Sequence, residues 1–146
     1  MDRKQLLELW NQMYDEGNWV PSFPDTLNGV TAAEANWKPI EPSNSIWQEV
    51  VHIIFWRTAT LNLIAVLPNF TNEEIATQEF AEPEIVDEPS WNACVALLKD
   101  TQDKIAALIP DESVNIERIP LHLIHDAYHL GRITQLRAMQ GVAPRF

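Results

Sequence analysis

The sequence predicts an all-α domain built on four main helices. Four long segments carry apolar residues at helical spacing, and no pair of segments shows the alternation expected of neighbouring strands. Only four glycines occur in 146 residues, which is too few for the many tight turns of an all-β sandwich. The length suits a single domain, residues 1–146, whose core needs no disulfide.

Each predicted helix is bounded by residues that typically begin or end one. In chain order, the helices are expected over residues 2–16, 44–67, 90–109 and 117–140. Candidate N-caps, Asp2 and Ser90, precede the first and third. The four expected ends are marked, in the same order, by Gly17, Pro68, Pro110 and Gly141.

The connections between the first three helices are long. Residues 18–43 contain four prolines and are expected to be irregular, except for one helical turn that the capping box of Thr31 and Glu34 predicts. Residues 68–88 hold seven acidic residues and no lysine or arginine, so we interpret them as a solvated loop with little structure. In a helix bundle, such a 21-residue connection is a crossover that runs back along the bundle.

Charge and composition exclude several classes of function. The net charge is −11 and the pI is near 4.6, so phosphate backbones and anionic lipids would repel the chain. The few glycines cannot build the phosphate-binding loops of nucleotide-binding folds. No run approaches the ~18 apolar residues of a membrane span, and the N-terminus lacks the apolar stretch of a signal peptide. We therefore expect a soluble cytoplasmic protein that binds neither nucleic acid nor membrane, with its single cysteine, Cys94, an inert core thiol.

The four histidines carry the strongest functional signal. His122, His125 and His129 fall within eight residues of the last predicted helix. His125 and His129 lie about 40° apart on the helix face, so both imidazoles can reach one ion from one rigid element. His52 lies among large apolar residues, where a buried imidazole needs a partner. A divalent metal ion would satisfy these three histidines together; the alternative is a set of hydrogen-bonded core histidines. We expect His122 at the rim of the site.

Other candidate residues lie close to these histidines. Asp126 takes the place of the glutamate base in the HExxH motif of zinc proteases but is one methylene shorter, which argues against a protease. Asp126 and Glu49 are the nearest acids in sequence, and either can orient an imidazole by a hydrogen bond. Trp47 and Trp56 flank His52 on its helix, and we interpret both as core residues rather than as the lining of a pocket.

Two stretches of the chain resemble the DinB/YfiT-like superfamily. They are SIWQEVVHIIFWR in the second predicted helix and HDAYHLGRI in the fourth, and the similarity extends over about residues 1–140. The resemblance implies a four-helix bundle with an up-down-down-up arrangement and a long crossover between helices two and three. It also implies a homodimer, and a divalent ion, usually zinc or nickel, held by His52, His125 and His129.

The same resemblance suggests an activity. Some relatives are S-transferases or isomerases that use bacillithiol, mycothiol or glutathione, and three histidine ligands leave a coordination position open for a thiol. We therefore expect a metal-dependent enzyme that transfers a low-molecular-weight thiol to a small electrophilic substrate. The alternatives are a metal-dependent hydrolase and a non-catalytic metal-binding stress-response protein. Arg132 stands where many relatives have glutamine; facing the pocket it would bind an anionic group, but we expect it on the surface.

Overall fold

The computed structural model describes residues 1–143 and confirms the all-α class. These residues form seven α-helices and no strand. The helices are α1 (Arg3–Asp15), α2 (Phe23–Leu27), α3 (Ala32–Asn36), α4 (Ile46–Ile64), α5 (Asn72–Gln78), α6 (Glu88–Leu108) and α7 (Ile119–Met139). The long helices α1, α4, α6 and α7 are the four predicted ones. Within residues 1–143, no helix combines the length and the apolar character needed to cross a membrane.

Several predicted helix ends are confirmed by their capping geometry. Asp2 forms a capping box with Gln5 at the start of α1, and Thr31 forms one with Glu34 at the start of α3. Gly17 follows α1 with a φ of 73°, and a Cβ there would lie 2.7 Å from the carbonyl oxygen of Val20. Glycine is therefore the residue that this helix end requires.

Two other ends differ from the prediction. The N-cap of α6 is Asp87 rather than Ser90; its side chain accepts a hydrogen bond from the Ser90 backbone N–H at 2.8 Å. The helix therefore starts earlier, and Pro89 fits its first turn, where a backbone N–H would have no helical partner. The long helix before that one, α4, ends at Ile64, whereas the sequence predicts a helix that continues up to Pro68.

The two long connections are more ordered than expected. Residues 18–43 contain α2, which was not predicted because the segment is rich in proline. Ser22 caps this helix, and Pro24 fits its first turn. Residues 68–88 contain α5, which begins with a capping box of Thr71 and Glu74. Both helices begin at a local cap and are short. Because they are short, their apolar residues are too few for a helical periodicity to be detected in the sequence.

Two acidic residues near the end of the connection between α4 and α6 make specific contacts. Glu82 forms an ion pair with Lys38, and the carboxylate of Glu88 accepts a hydrogen bond from the backbone N–H of Ala32 at 2.8 Å. Both side chains are exposed, as the sequence predicts, but Glu82 and Glu88 also join the end of this connection to the segment around α3.

The core centres on α4, which packs against α3, α6 and α7. Trp91 on α6 is 2% exposed; its Nε1–H donates to the carbonyl oxygen of Val30 at 2.8 Å, and its ring lies 5.2 Å from that of Trp47. Trp47 is thus a core residue, as predicted. Cys94 packs against the same cluster, and burial raises the pKa of its thiol to about 12, which fits the inert thiol expected from the sequence.

Trp91→Ala should lower the free energy of unfolding by about 3–5 kcal/mol, because it removes a large buried side chain and leaves the Val30 carbonyl without its donor. Trp19→Ala is the matched control: Trp19 is 96% exposed, so the change should stay within about 0.5 kcal/mol. Urea unfolding followed by far-UV circular dichroism measures both. Equal losses in the two variants would contradict the assigned core.

Candidate metal centre

Three imidazoles from two helices meet on one side of the bundle. His52 comes from α4, and His125 and His129 come from successive turns of α7. One ring nitrogen of each lies within 4.8 Å of the others, and the ring centroids are 4.5 to 5.1 Å apart. His52 and His129 are buried, whereas His125 is half-buried, so solvent reaches the cluster beside His125. These groups could bind a divalent metal ion.

Each of the three rings is oriented by a hydrogen bond from Nδ1 to an oxygen. The distances are 2.5 Å from His129 to Glu49 Oε2, 3.1 Å from His125 to Asp126 Oδ1, and 3.2 Å from His52 to the carbonyl oxygen of Glu79. The neutral tautomer that satisfies these bonds carries its proton on Nδ1. The Nε2 lone pair of every ring is then free to coordinate an ion, which is the usual arrangement behind metal-bound histidines.

Asp126 and Glu49, the two acids predicted to orient an imidazole, each accept a hydrogen bond from one of the clustered histidines. Asp126 is buried and pairs with Arg57 from α4, whose Nη2 lies 2.7 Å and whose Nε lies 3.1 Å from Asp126 Oδ2. Burial alone would raise the pKa of the Asp126 carboxyl, but Arg57 and the hydrogen bond from His125 hold it below its ordinary value. Asp126 is therefore a fixed anion.

Glu49 has the same arrangement on the other side of the cluster. It is 0% exposed; Oε2 accepts from His129, and Oε1 accepts from Nε of Arg132 at 2.8 Å. Burial works to raise the pKa of this carboxyl, and the hydrogen bonds from His129 and Arg132 outweigh it and keep the pKa low. The prediction of Arg132 as a surface charge was wrong in this respect, because its Nε binds a buried carboxylate within the cluster.

His122 does not lie at the rim, as we had expected. It is 7% exposed, and its Nε2 lies 2.8 Å from the hydroxyl oxygen of Thr60 on α4. Its Nδ1 is buried without a hydrogen-bond partner among residues 1–143. His122 also forms a second close group with His125 and Asp126. Desolvation in this position lowers the pKa of His122 to about 4.

Aromatic residues complete the wall around His52. Phe80 stacks on the His52 ring at a centroid distance of 3.9 Å. Trp56 meets the same ring edge-on at 6.3 Å, and its Nε1–H donates to Glu79 Oε2 at 3.3 Å. Trp56 therefore lines the site instead of filling the core. Burial, together with the neighbouring histidines, lowers the pKa of His52 to about 4.

Sequence reasoning missed three contributors to this site: Arg57, Glu79 and Phe80. Arg57 had a detectable signal, since it is the one cation in the most apolar segment of the chain, where an unpaired charge is costly. Glu79 and Phe80 follow α5, and nothing in their local sequence distinguishes them from other residues of the crossover.

His122 should make the metal-free protein less stable in acid. Its pKa is about 4 when folded against an ordinary value of 6.5, so the unfolded chain binds the extra proton between these values. Stability from this residue is complete above pH ~6.5 and is lost as the pH falls to about 4, by on the order of 3 kcal/mol. His122→Gln removes this loss. Urea unfolding with a chelator present, at pH 7 and pH 4.5, should show a smaller acid effect in the variant; identical pH dependence would contradict the burial assigned to His122.

Comparison with known proteins assigns the family. A family profile described as the DinB superfamily matches residues 16–136, most of the chain. No curated protein and no solved structure gives a significant match. The matched range includes the three clustered histidines and both carboxylates that orient them. The resemblance noted in the sequence is thereby confirmed, and the chain belongs to the DinB superfamily.

Proposed function

We propose that this protein is a metal-dependent transferase that joins a low-molecular-weight thiol to an electrophilic small molecule. The observation that carries the proposal is the orientation of His52, His125 and His129. All three Nδ1 atoms lie within hydrogen-bond distance of an oxygen, and none of the three Nε2 atoms has a hydrogen-bond partner among residues 1–143. Three neutral imidazoles suit zinc or nickel, and they leave coordination positions open for a further ligand.

The imidazole ligands are fixed in orientation, and each carboxylate that orients one of them is balanced by an arginine. A divalent ion in this place would lower the pKa of a bound thiol, so that a thiolate is available at neutral pH. Glu49 and Asp126 hold two of the rings, and each carboxylate is paired with an arginine. The orienting carboxylates therefore add little net negative charge beside the ion, which favours an anionic ligand such as a thiolate.

The state of Asp126 favours thiol transfer over hydrolysis. It stands where zinc proteases place their general base, but it is buried and bound by Arg57 and His125. It is not free to accept a proton from an attacking water. A thiolate needs no such base: its sulfur forms a bond to the electrophilic carbon, the leaving group departs with the bonding electron pair, and the thiol proton has already passed to solvent.

A hydrolase is the second candidate, and Glu79 is the observation in its favour. The Glu79 carboxylate lies 3.6 Å from Nδ1 of His52 and is bound by Trp56 rather than by a cation. It is the acid that could accept a proton from water at the edge of the cluster. Product formation without thiol, reduced roughly 100-fold or more by Glu79→Gln, would identify this activity.

The histidine cluster predicts the metal content of variants. His52→Ala, His125→Ala and His129→Ala should each lose most of the bound metal at neutral pH, since two imidazoles hold an ion far less tightly than three. His122→Gln is the control and should retain it, because His122 binds Thr60. Elemental analysis after gel filtration measures the content. A triple alanine variant with stoichiometric metal would refute the ligand assignment.

Thiol binding predicts a spectroscopic response. Adding a thiol to cobalt- or nickel-substituted protein should produce sulfur-to-metal charge-transfer bands, and His129→Ala should abolish them. Product should form only when thiol and electrophile are both present. If the loaded protein gives neither spectral change nor product across the known low-molecular-weight thiols, thiol transfer is not its function.

A further inference from the structure

We propose that Arg132 is a specificity-determining residue: it binds a carboxylate, or a similar anionic group, on the ligand that occupies the open side of the histidine cluster. The inference rests on the proposed function and adds the charge class of the ligand to it. It is carried by the position of Arg132 on α7, by the unused donors of its guanidinium and by the distribution of charge around the cluster.

The position of Arg132 follows from helical spacing. It lies seven residues after His125 on α7, so the two side chains leave the helix within about 20° of each other. One carboxylate joins it to the cluster: Glu49 Oε1 accepts from Arg132 Nε at 2.8 Å, and Glu49 Oε2 accepts from His129 Nδ1 at 2.5 Å. The Glu49 carboxylate thus bridges the Arg132 guanidinium and the ring of His129, which is a candidate metal ligand.

The guanidinium has donors to spare. Glu49 engages Nε, and Nη1 makes a long contact of 3.4 Å with the hydroxyl of Tyr128. Among residues 1–143, Nη2 has no acceptor, and the Arg132 side chain is 41% exposed whereas Glu49 is fully buried. The anchored end therefore points into the protein and the free N–H groups face solvent, in the planar fork that binds a carboxylate with two hydrogen bonds.

Charge is distributed unevenly around the cluster. Arg57 is buried against Asp126, so it cannot reach a ligand. Glu79 places a carboxylate beside His52 and Trp56, and Arg132 places a cation beside His129 and Glu49. An anionic group of a ligand is repelled by the Glu79 carboxylate, which pairs with no cation in the described part of the chain, and meets the unused N–H donors of Arg132 at the other edge, which sets its orientation. The net charge of −11 gives an anion no comparable attraction to the chain as a whole.

The test compares two thiols that differ in one group, 3-mercaptopropionate and its neutral amide, 3-mercaptopropionamide. Each is titrated into cobalt-substituted protein, and the charge-transfer absorption gives its affinity. We expect the carboxylate to bind about tenfold more tightly than the amide, the scale of one charge-assisted hydrogen bond. Arg132→Gln should reduce this ratio to about one, and Arg132→Lys should keep part of it. Arg118→Gln removes an exposed charge at the start of α7 and should leave the ratio unchanged.

The ratio of the two thiol affinities distinguishes a specificity role of Arg132 from a purely structural one. If Arg132 only supports Glu49 and His129, Arg132→Gln will weaken both thiols equally and lower the cobalt content, which is measured for every variant. Equal affinity of the wild-type protein for the two thiols, with clear charge-transfer bands, would overturn the arginine site and leave thiol transfer intact.

A second measurement does not depend on thiol chemistry. In ¹⁵N-labelled zinc protein, the Nε–H signal of Arg132 is assigned by its loss in Arg132→Gln. It should shift on titration with 3-hydroxypropionate and stay unchanged with 3-hydroxypropionamide. An unmoved signal with both compounds would overturn the proposal even if no thiol binds the metal.

Discussion

The buried ion pair between Arg57 and Asp126 joins α4 to α7 in the interior of the protein. An unpaired charge in this position would cost far more than the pair contributes, so the two residues must meet whenever these helices pack. Arg57 is also held between the rings of Trp10 and Phe23, with its Cζ 4.8 Å and 5.4 Å from their centroids. We infer that this pair sets the register of the two helices. His52 is five residues before Arg57, and Asp126 lies between the other two clustered histidines, so the same register brings the three rings together.

The contact of Glu49 with His129 and Arg132 repeats this chemistry on the other side of the cluster. In both places a carboxylate orients an imidazole and is itself bound by an arginine. The rings are therefore held without a net charge from their supports. The two arginines differ in exposure: Arg57 is buried between α4 and α7, whereas Arg132 is partly exposed. The same arrangement thus gives rigidity at Asp126 and, as we propose, a contact for a ligand at Arg132.

Much of this structure could be predicted from the sequence, and the rest depends on contacts between helices. Apolar periodicity and capping residues identified the four long helices because both signals are local. The grouping of His125 and His129 follows from spacing, and that of His52 from its apolar surroundings. The roles of His122 and Arg132 were misjudged because a helical wheel shows which side chains share a face but not what the facing helix offers. Thr60 and Glu49 on α4 are those partners, and only the register between α4 and α7 brings them there.

The most direct test of the account is anomalous diffraction from crystals of the metal-loaded protein, recorded on both sides of the zinc or nickel absorption edge. We expect one strong anomalous peak bound by Nε2 of His52, His125 and His129, at about 2.0–2.1 Å for zinc, with the Nδ1 atoms still bound to their oxygen acceptors. A peak held instead by His122 and Asp126, or three empty Nε2 atoms in protein with stoichiometric metal elsewhere, would contradict it.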